Sequence, residues 1–209
     1  MSGTHAHPDD TSPARVAAAA AVRRLVHALV AHDGDDETLA RLAATASALG
    51  DELEQAPDRH RGTDSFPNWA TGSQPEGAVL SCVDDCMVAG PANPLSAGTR
   101  IHREGDEAVL RVTLDPGFEG LPGRAHGGIV ASLFDEAMGQ VLYMEGERGF
   151  TAWLRVDYRA PVLTGVPIEI RARLKERDGR KFLVEAELSN DGQPGPTAES
   201  LYVTPRPEP

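Results

Sequence analysis

The sequence predicts an α+β fold in which an antiparallel β-sheet wraps around one long central helix, preceded by an N-terminal helical hairpin. Three observations carry this reading. Residues 129–143 are apolar at ten of fifteen positions, and a helix that is apolar nearly all round is one that is covered on most sides. Period-two alternation flanks that helix, two stretches before it and four after it, joined by short turns. A 3.6-residue period fills residues 12–55 instead. Of the common layer arrangements, a sheet curled around the helix is the one that hides it.

Taken in order, residues 1–11 are polar and read as a disordered start. Ser12-Pro13 reads as an N-cap followed by proline at the first helical position. A helix over 13–31 carries Val22, Val26 and Leu29 on one face, and the run 32–36 (HDGDD) breaks it. A second helix over 36–55 places Leu39, Leu42, Ala46, Leu49 and Leu53 at alternating three- and four-residue spacing. The two form an αα-hairpin, read as a packing appendage or oligomer contact in preference to a lid. Residues 56–77 turn rich in Pro, Gly, Ser, Asp and Arg, with Phe66 and Trp69 as the large apolar anchors, and read as a linker. The main domain spans 78–209. In it, strands at 100–102 and 108–114 flank Glu104-Gly105-Asp106, a hairpin signal. Ala108, Leu110, Val112 and Leu114 point one way, and Val109, Arg111 and Thr113 the other. After the central helix, Leu154, Val156 and Tyr158 mark an inner face. So do Ile168, Ile170, Ala172 and Leu174, then Phe182, Val184, Ala186 and Leu188, with 198–204 closing the set.

Composition narrows the function. The 209 residues suffice for one core of ordinary size plus an appendage. A formal charge of −12 argues against non-specific nucleic-acid binding. No stretch has the length of a membrane span, and the first ten residues lack the basic-then-apolar order of a signal peptide, so a cytoplasmic protein is expected. Cys82 and Cys86 have no second ligand pair in view and read as reduced thiols; neither a metal nor a cofactor is expected.

The chemistry concentrates at 122–143. His126-Gly127-Gly128 leads straight into the apolar tract. Glycines at a helix start let a ligand approach backbone N–H groups at the positive end of the dipole, where an oxyanion is stabilised. Asp135 and Glu136 sit inside that tract, and a buried carboxylate needs partners or a purpose. The plainer reading is a Gly-rich turn into a core helix whose acids reach solvent at one edge. On a helix the two acids point about 100° apart. Ser132, Glu136 and Gln140 form an i, i+4, i+8 polar stripe that gives Glu136 neutral company, leaving Asp135 the stronger catalytic candidate and Glu136 the fallback. His126 reads more readily as an orienter of the loop than as an acid or base.

This His-Gly-Gly, with an Asp nine residues after the His and the strand segment 151–161 (TAWLRVDYRAP) downstream, resembles the hotdog-fold acyl-CoA thioesterases, specifically their phenylacetate-pathway branch. The resemblance covers roughly 80–205. It implies a hotdog fold and hydrolysis of an acyl-CoA to a free acid and CoA. The N–H at Gly127 would polarise the thioester carbonyl. Asp135, contributed by the partner subunit of a homodimer or dimer of dimers, would attack the thioester or activate a water. Thr151 would position that water. Some members carry Asn six residues before the His; this chain has Gly120 there, so no role tied to that amide carries over.

Around this core, Gly128, Arg124, Arg155, Arg159 and Glu136 are the expected substrate contacts, the arginines because their forked donors match CoA phosphates. A solvated strand face explains Arg155 and Arg159 equally well. Residues 90–94 (GPANP) resemble a loop of the same family and read as a rigid turn on the pocket wall. The chain has neither a Gly-x-Ser-x-Gly elbow nor a phosphate-binding Gly-Lys-Ser/Thr loop. The alternative to catalysis is a hotdog domain that binds acyl-CoA or serves assembly alone. A hydratase-type hotdog is disfavoured because the Pro-Gly-Val segment that accompanies its His is missing.

Overall fold

The computed structural model describes residues 12–59, 74–80 and 83–206. The expectations for 1–11, for most of the linker with Phe66 and Trp69, and for Cys82 lie outside the described residues. The eight strands are β1 (Arg100–Glu104), β2 (Glu107–Thr113), β3 (Glu119–Leu121), β4 (Arg124–Ala125), β5 (Phe150–Asp157), β6 (Pro167–Asp178), β7 (Lys181–Asn190) and β8 (Gln193–Val203). The helices are α1 (Pro13–Ala31), α2 (Asp36–Glu54) and α3 (Gly127–Met144). Six strands form one antiparallel sheet in the order β1-β2-β6-β7-β8-β5, curled around α3 as the hotdog fold requires. The β3–β4 ribbon was not legible beforehand, because its five residues lie in a Gly/Pro-rich segment too short to show alternation.

Period two places the core where the sequence puts it. Leu110, Ile170, Ala172, Phe182 and Val184 are fully buried against Leu133, Phe134, Ala137 and Met138 of α3. The turns follow their residues. Asn190 pairs with Gln193 across Asp191-Gly192, and both turn residues have positive φ, the geometry that a tight right-twisted hairpin favours. Two details depart from the alternation. Val109 faces outward yet is fully buried, set in register between His102 and Arg171. Tyr158 leaves the inner face; it lies 53% exposed beside the start of α3.

Both N-terminal helices form within a residue of the expected bounds, but α1 docks by a different face. The stripe Val16, Ala19, Arg23 and His27 turns inward, whereas Val22, Val26 and Leu29 stay exposed. Arg23 Nη2 donates to the Asn93 carbonyl at 2.7 Å, and His27 packs on Phe118 and accepts from Gly117 N–H at 3.2 Å. Hydrophobic periodicity could not point to a face whose anchors are an arginine and a histidine. Helix α2 buries none of its residues, so its leucine stripe is uncovered in the single chain.

Candidate active site

The start of α3 is built by its own residues. His126 takes the N-cap with extended backbone, and its Nδ1 accepts from Gly128 N–H at 3.0 Å. The contact uses Nδ1 as an acceptor and ties the His126 side chain to its own loop. Its own N–H donates to the Phe118 carbonyl, which ties the loop to the 3-10 turn at Pro116–Phe118. Gly120 lies beneath it: a Cβ there would come within 3.0 Å of the His126 Cα, so a side chain at 120 would displace the loop. Tyr158 donates its hydroxyl to the Gly127 carbonyl at 2.7 Å. Burial pushes that hydroxyl's pKa up, which keeps it a donor. The N–H of Gly127 has no partner among the described residues. It is one of the orphan donors of a helix start, free to meet an acceptor from outside. A cleft of about 520 Å³ opens over it, lined by Arg124, His126, Gly127 and Arg159 among others.

Two turns along the helix, Asp135 gathers its own company. Thr151 Oγ1 donates to Asp135 Oδ1 at 2.9 Å. The Tyr202 hydroxyl lies 3.2 Å from the same oxygen and 3.0 Å from the Asp135 carbonyl. Thr151 reaches inward because β5 carries an irregularity between Thr151 and Trp153. The extra residue resets the alternation, so that Thr151 and Leu154, three apart, both sit opposite inward residues of β8, Tyr202 and Ser200. Burial pushes the Tyr202 hydroxyl well above the ordinary tyrosine range, and the negative charge of Asp135 adds to the shift. Both acids of α3 are only half-buried, because 132, 135, 136, 139 and 143 line its partly open stripe. The edge-of-core reading of these acids is therefore right about their exposure.

Glu136 has the neutral surroundings expected of it, with one partner differing. Gln140 Nε2 donates to its Oε1 at 3.1 Å, and the Cys86 thiol donates to Oε2 at 3.2 Å. Ser132 turns its hydroxyl away from Glu136 and donates to the Gly128 carbonyl. The expected contacts therefore split. Arg124, Arg159, Gly127 and Gly128 cluster at the start of α3. Arg155, bound to Asp157 at 3.2 Å, does not line the cleft over Gly127; it shares a second cleft, on the outer face of the sheet, with Arg159. Sequence reasoning missed Tyr202, Tyr158 and Cys86. Tyr202 fell within the closing strand at 198–204 with nothing to mark it, and only the β5–β8 pairing shows what its hydroxyl meets. Among the described residues no three His, Cys, Asp or Glu side chains come together as metal ligands would, and no helix is long and apolar enough to cross a membrane.

Comparison with known proteins agrees with the fold. Residues 122–196 match the thioesterase superfamily. The acyl-coenzyme A thioesterase THEM4 of Xenopus laevis is 34% identical over 91 residues, 42% of this chain and 40% of that protein. The Rattus norvegicus THEM4 is 31% identical over 72 residues, 34% of this chain and 31% of that protein. The chain thus spans less than half the length of these curated relatives. A crystal structure of a thioesterase superfamily protein aligns over 95% of this chain and 93% of its own, with TM-score 0.77 and 28% identity. The Escherichia coli PaaI protein of the phenylacetic acid degradation operon shares the fold, with TM-score 0.50 at 18% identity over 53% of this chain and 81% of its own.

Proposed function

We propose that this protein hydrolyses the thioester of an acyl-CoA to a carboxylic acid and CoA, with Gly127 and Asp135 as the working pair. The observation that carries the reading is their division of labour. One end of α3 offers an unpartnered N–H beneath a cleft, and a carboxylate held by two hydroxyls stands two turns away. Eight helical residues separate them by about 12 Å, too far for one carbonyl carbon to meet both within a chain. The reading therefore places Gly127 of one protomer opposite Asp135 of its partner. The Gly127 N–H and the helix dipole take the charge that develops on the thioester oxygen. Either Asp135 takes a proton from a water that attacks the carbonyl carbon, and collapse of the adduct releases the acid and expels CoA as thiolate. Or Asp135 attacks the carbon itself, CoA leaves as thiolate, and water then cleaves the acyl–Asp135 anhydride to release the acid and restore the carboxylate. Arg124 and Arg159, beside Gly127, suit the anionic CoA moiety.

A panel of short, medium, long and aromatic acyl-CoAs tests the reading. Asp135→Asn should lower turnover of the best substrate by roughly 10² or more, since it keeps the shape and removes the charge. Glu136→Gln should retain most activity. Wild-type turnover in Asp135→Asn with a dead Glu136→Gln would move the role to Glu136. Full activity in both would contradict the mechanism, and no turnover of any thioester by the wild type would favour a binding or assembly domain.

A further inference from the structure

We propose that Tyr202 is a positioning residue: its hydroxyl and that of Thr151 converge on one carboxylate oxygen of Asp135, leaving the other, Oδ2, as the reacting atom. The inference rests on the catalytic reading of Asp135. Thr151 Oγ1 stands at 2.9 Å and Tyr202 Oη at 3.2 Å from Oδ1. Oδ2 has no partner among the described residues and is not closed off from solvent. The asymmetry comes from the fold. Thr151 and Tyr202 are cross-strand partners on β5 and β8, and the β5 irregularity turns Thr151 to the same face as Tyr202. The Tyr202 ring is 3% exposed and belongs to the core cluster, so its hydroxyl is aimed by packing. A second contact, 3.0 Å to the Asp135 carbonyl, ties the same hydroxyl to the helix backbone. Asp135 forms no ion pair among the described residues, and Glu136, the neighbouring acid, is engaged with Gln140 and Cys86. These two hydroxyls are therefore what distinguishes the two oxygens of Asp135.

In Tyr202→Phe the ring remains and one donor is lost, so Oδ1 is held by Thr151 alone and Oδ2 is less firmly aimed. The expected result is kcat down roughly tenfold with KM within about twofold, at a melting temperature close to that of the wild type. Replacing Tyr202 with 3-fluorotyrosine, which keeps both the ring and the donor, should restore kcat. An unchanged kcat in Tyr202→Phe overturns the proposal, and so does a fall in kcat that the 3-fluorotyrosine variant shares or that tracks a loss of melting temperature, because either pattern marks a packing residue only. If Asp135→Asn is fully active, it is the catalytic reading of Asp135 that fails, and the role of Oδ2 with it.

Discussion

His126 contributes to the site through one acceptor atom and one backbone donor, and both order the loop. Truncating it in His126→Ala leaves Gly128 N–H without its cap. A lost N-cap costs about 1 kcal/mol, so His126→Ala should melt at lower temperature, and His126→Asn, which can cap, should recover most of that loss by calorimetry. If His126→Ala melts like the wild type but loses all activity, the side chain acts on substrate instead. Residue identity singled out Gly127, His126 and Asp135 as candidates, because glycine at a helix start and a carboxylate in an apolar tract are informative wherever they occur; Thr151 came only from the family resemblance. Tyr158 and Tyr202 were not legible in their roles. Tyrosine in a strand is ordinary, and what its hydroxyl touches depends on a register that no local pattern encodes.

At the level of elements, the outer face of the sheet carries a run of ion pairs. Arg171 binds Glu104, Glu107 and Glu169, while Arg173 and Lys175 bind Glu185. The hydrogen bond from Arg111 holds the Glu104 carboxyl below its ordinary 4.5, and Arg173 does the same for Glu185. A folded-state pKa below the unfolded value means stability present above about pH 4.5 and lost as pH falls through the folded value. Both glutamates are partly exposed, at 35% and 28% of their side chains, so each contributes at most about 1 kcal/mol. Melting temperature should therefore be flat above about pH 5 and fall below it. Glu104→Gln should flatten part of that slope, and high salt should flatten more; an identical slope in Glu104→Gln would remove Glu104 from the account. Strand alternation predicted which face would be charged, because arginine and glutamate alternate with aliphatic residues along β6 and β7. It could not predict that Arg155 pairs with Asp157 on its own strand, outside the cleft over Gly127.

For the whole molecule, the core cluster draws no residue from α1 or α2. A chain lacking residues 1–56 is expected to fold, as judged by a cooperative melt; an insoluble product would place the N-terminal helices within the core unit. The exposed leucines of α2 are suited to assembly. Truncation should then change oligomer size in sedimentation and leave the acyl-length preference flat, whereas a selective loss of long-chain binding would mark a lid, each buried methylene being worth about 0.8 kcal/mol. The wrapped sheet was legible because a helix apolar on most sides admits few architectures. The docking of α1 was not, because polar anchors leave no hydrophobic period.

A site shared between two chains requires them to pair, and β5 offers the means: it is an edge strand of the six-stranded sheet, open to pairing with a second copy. Two inactive variants test it together. Asp135→Asn removes the carboxylate. Gly127→Pro removes the N–H at the first helical position, where proline is accommodated and where the extended His126 backbone permits it. Each alone should be inactive. Unfolded together and refolded as a mixture, they should form mixed dimers in which one of the two sites has both working groups, restoring about a quarter of wild-type activity by random pairing. A mixture as inactive as its parts, in dimers shown to have exchanged subunits, would contradict the shared site, as would a fully active monomer at assay concentration.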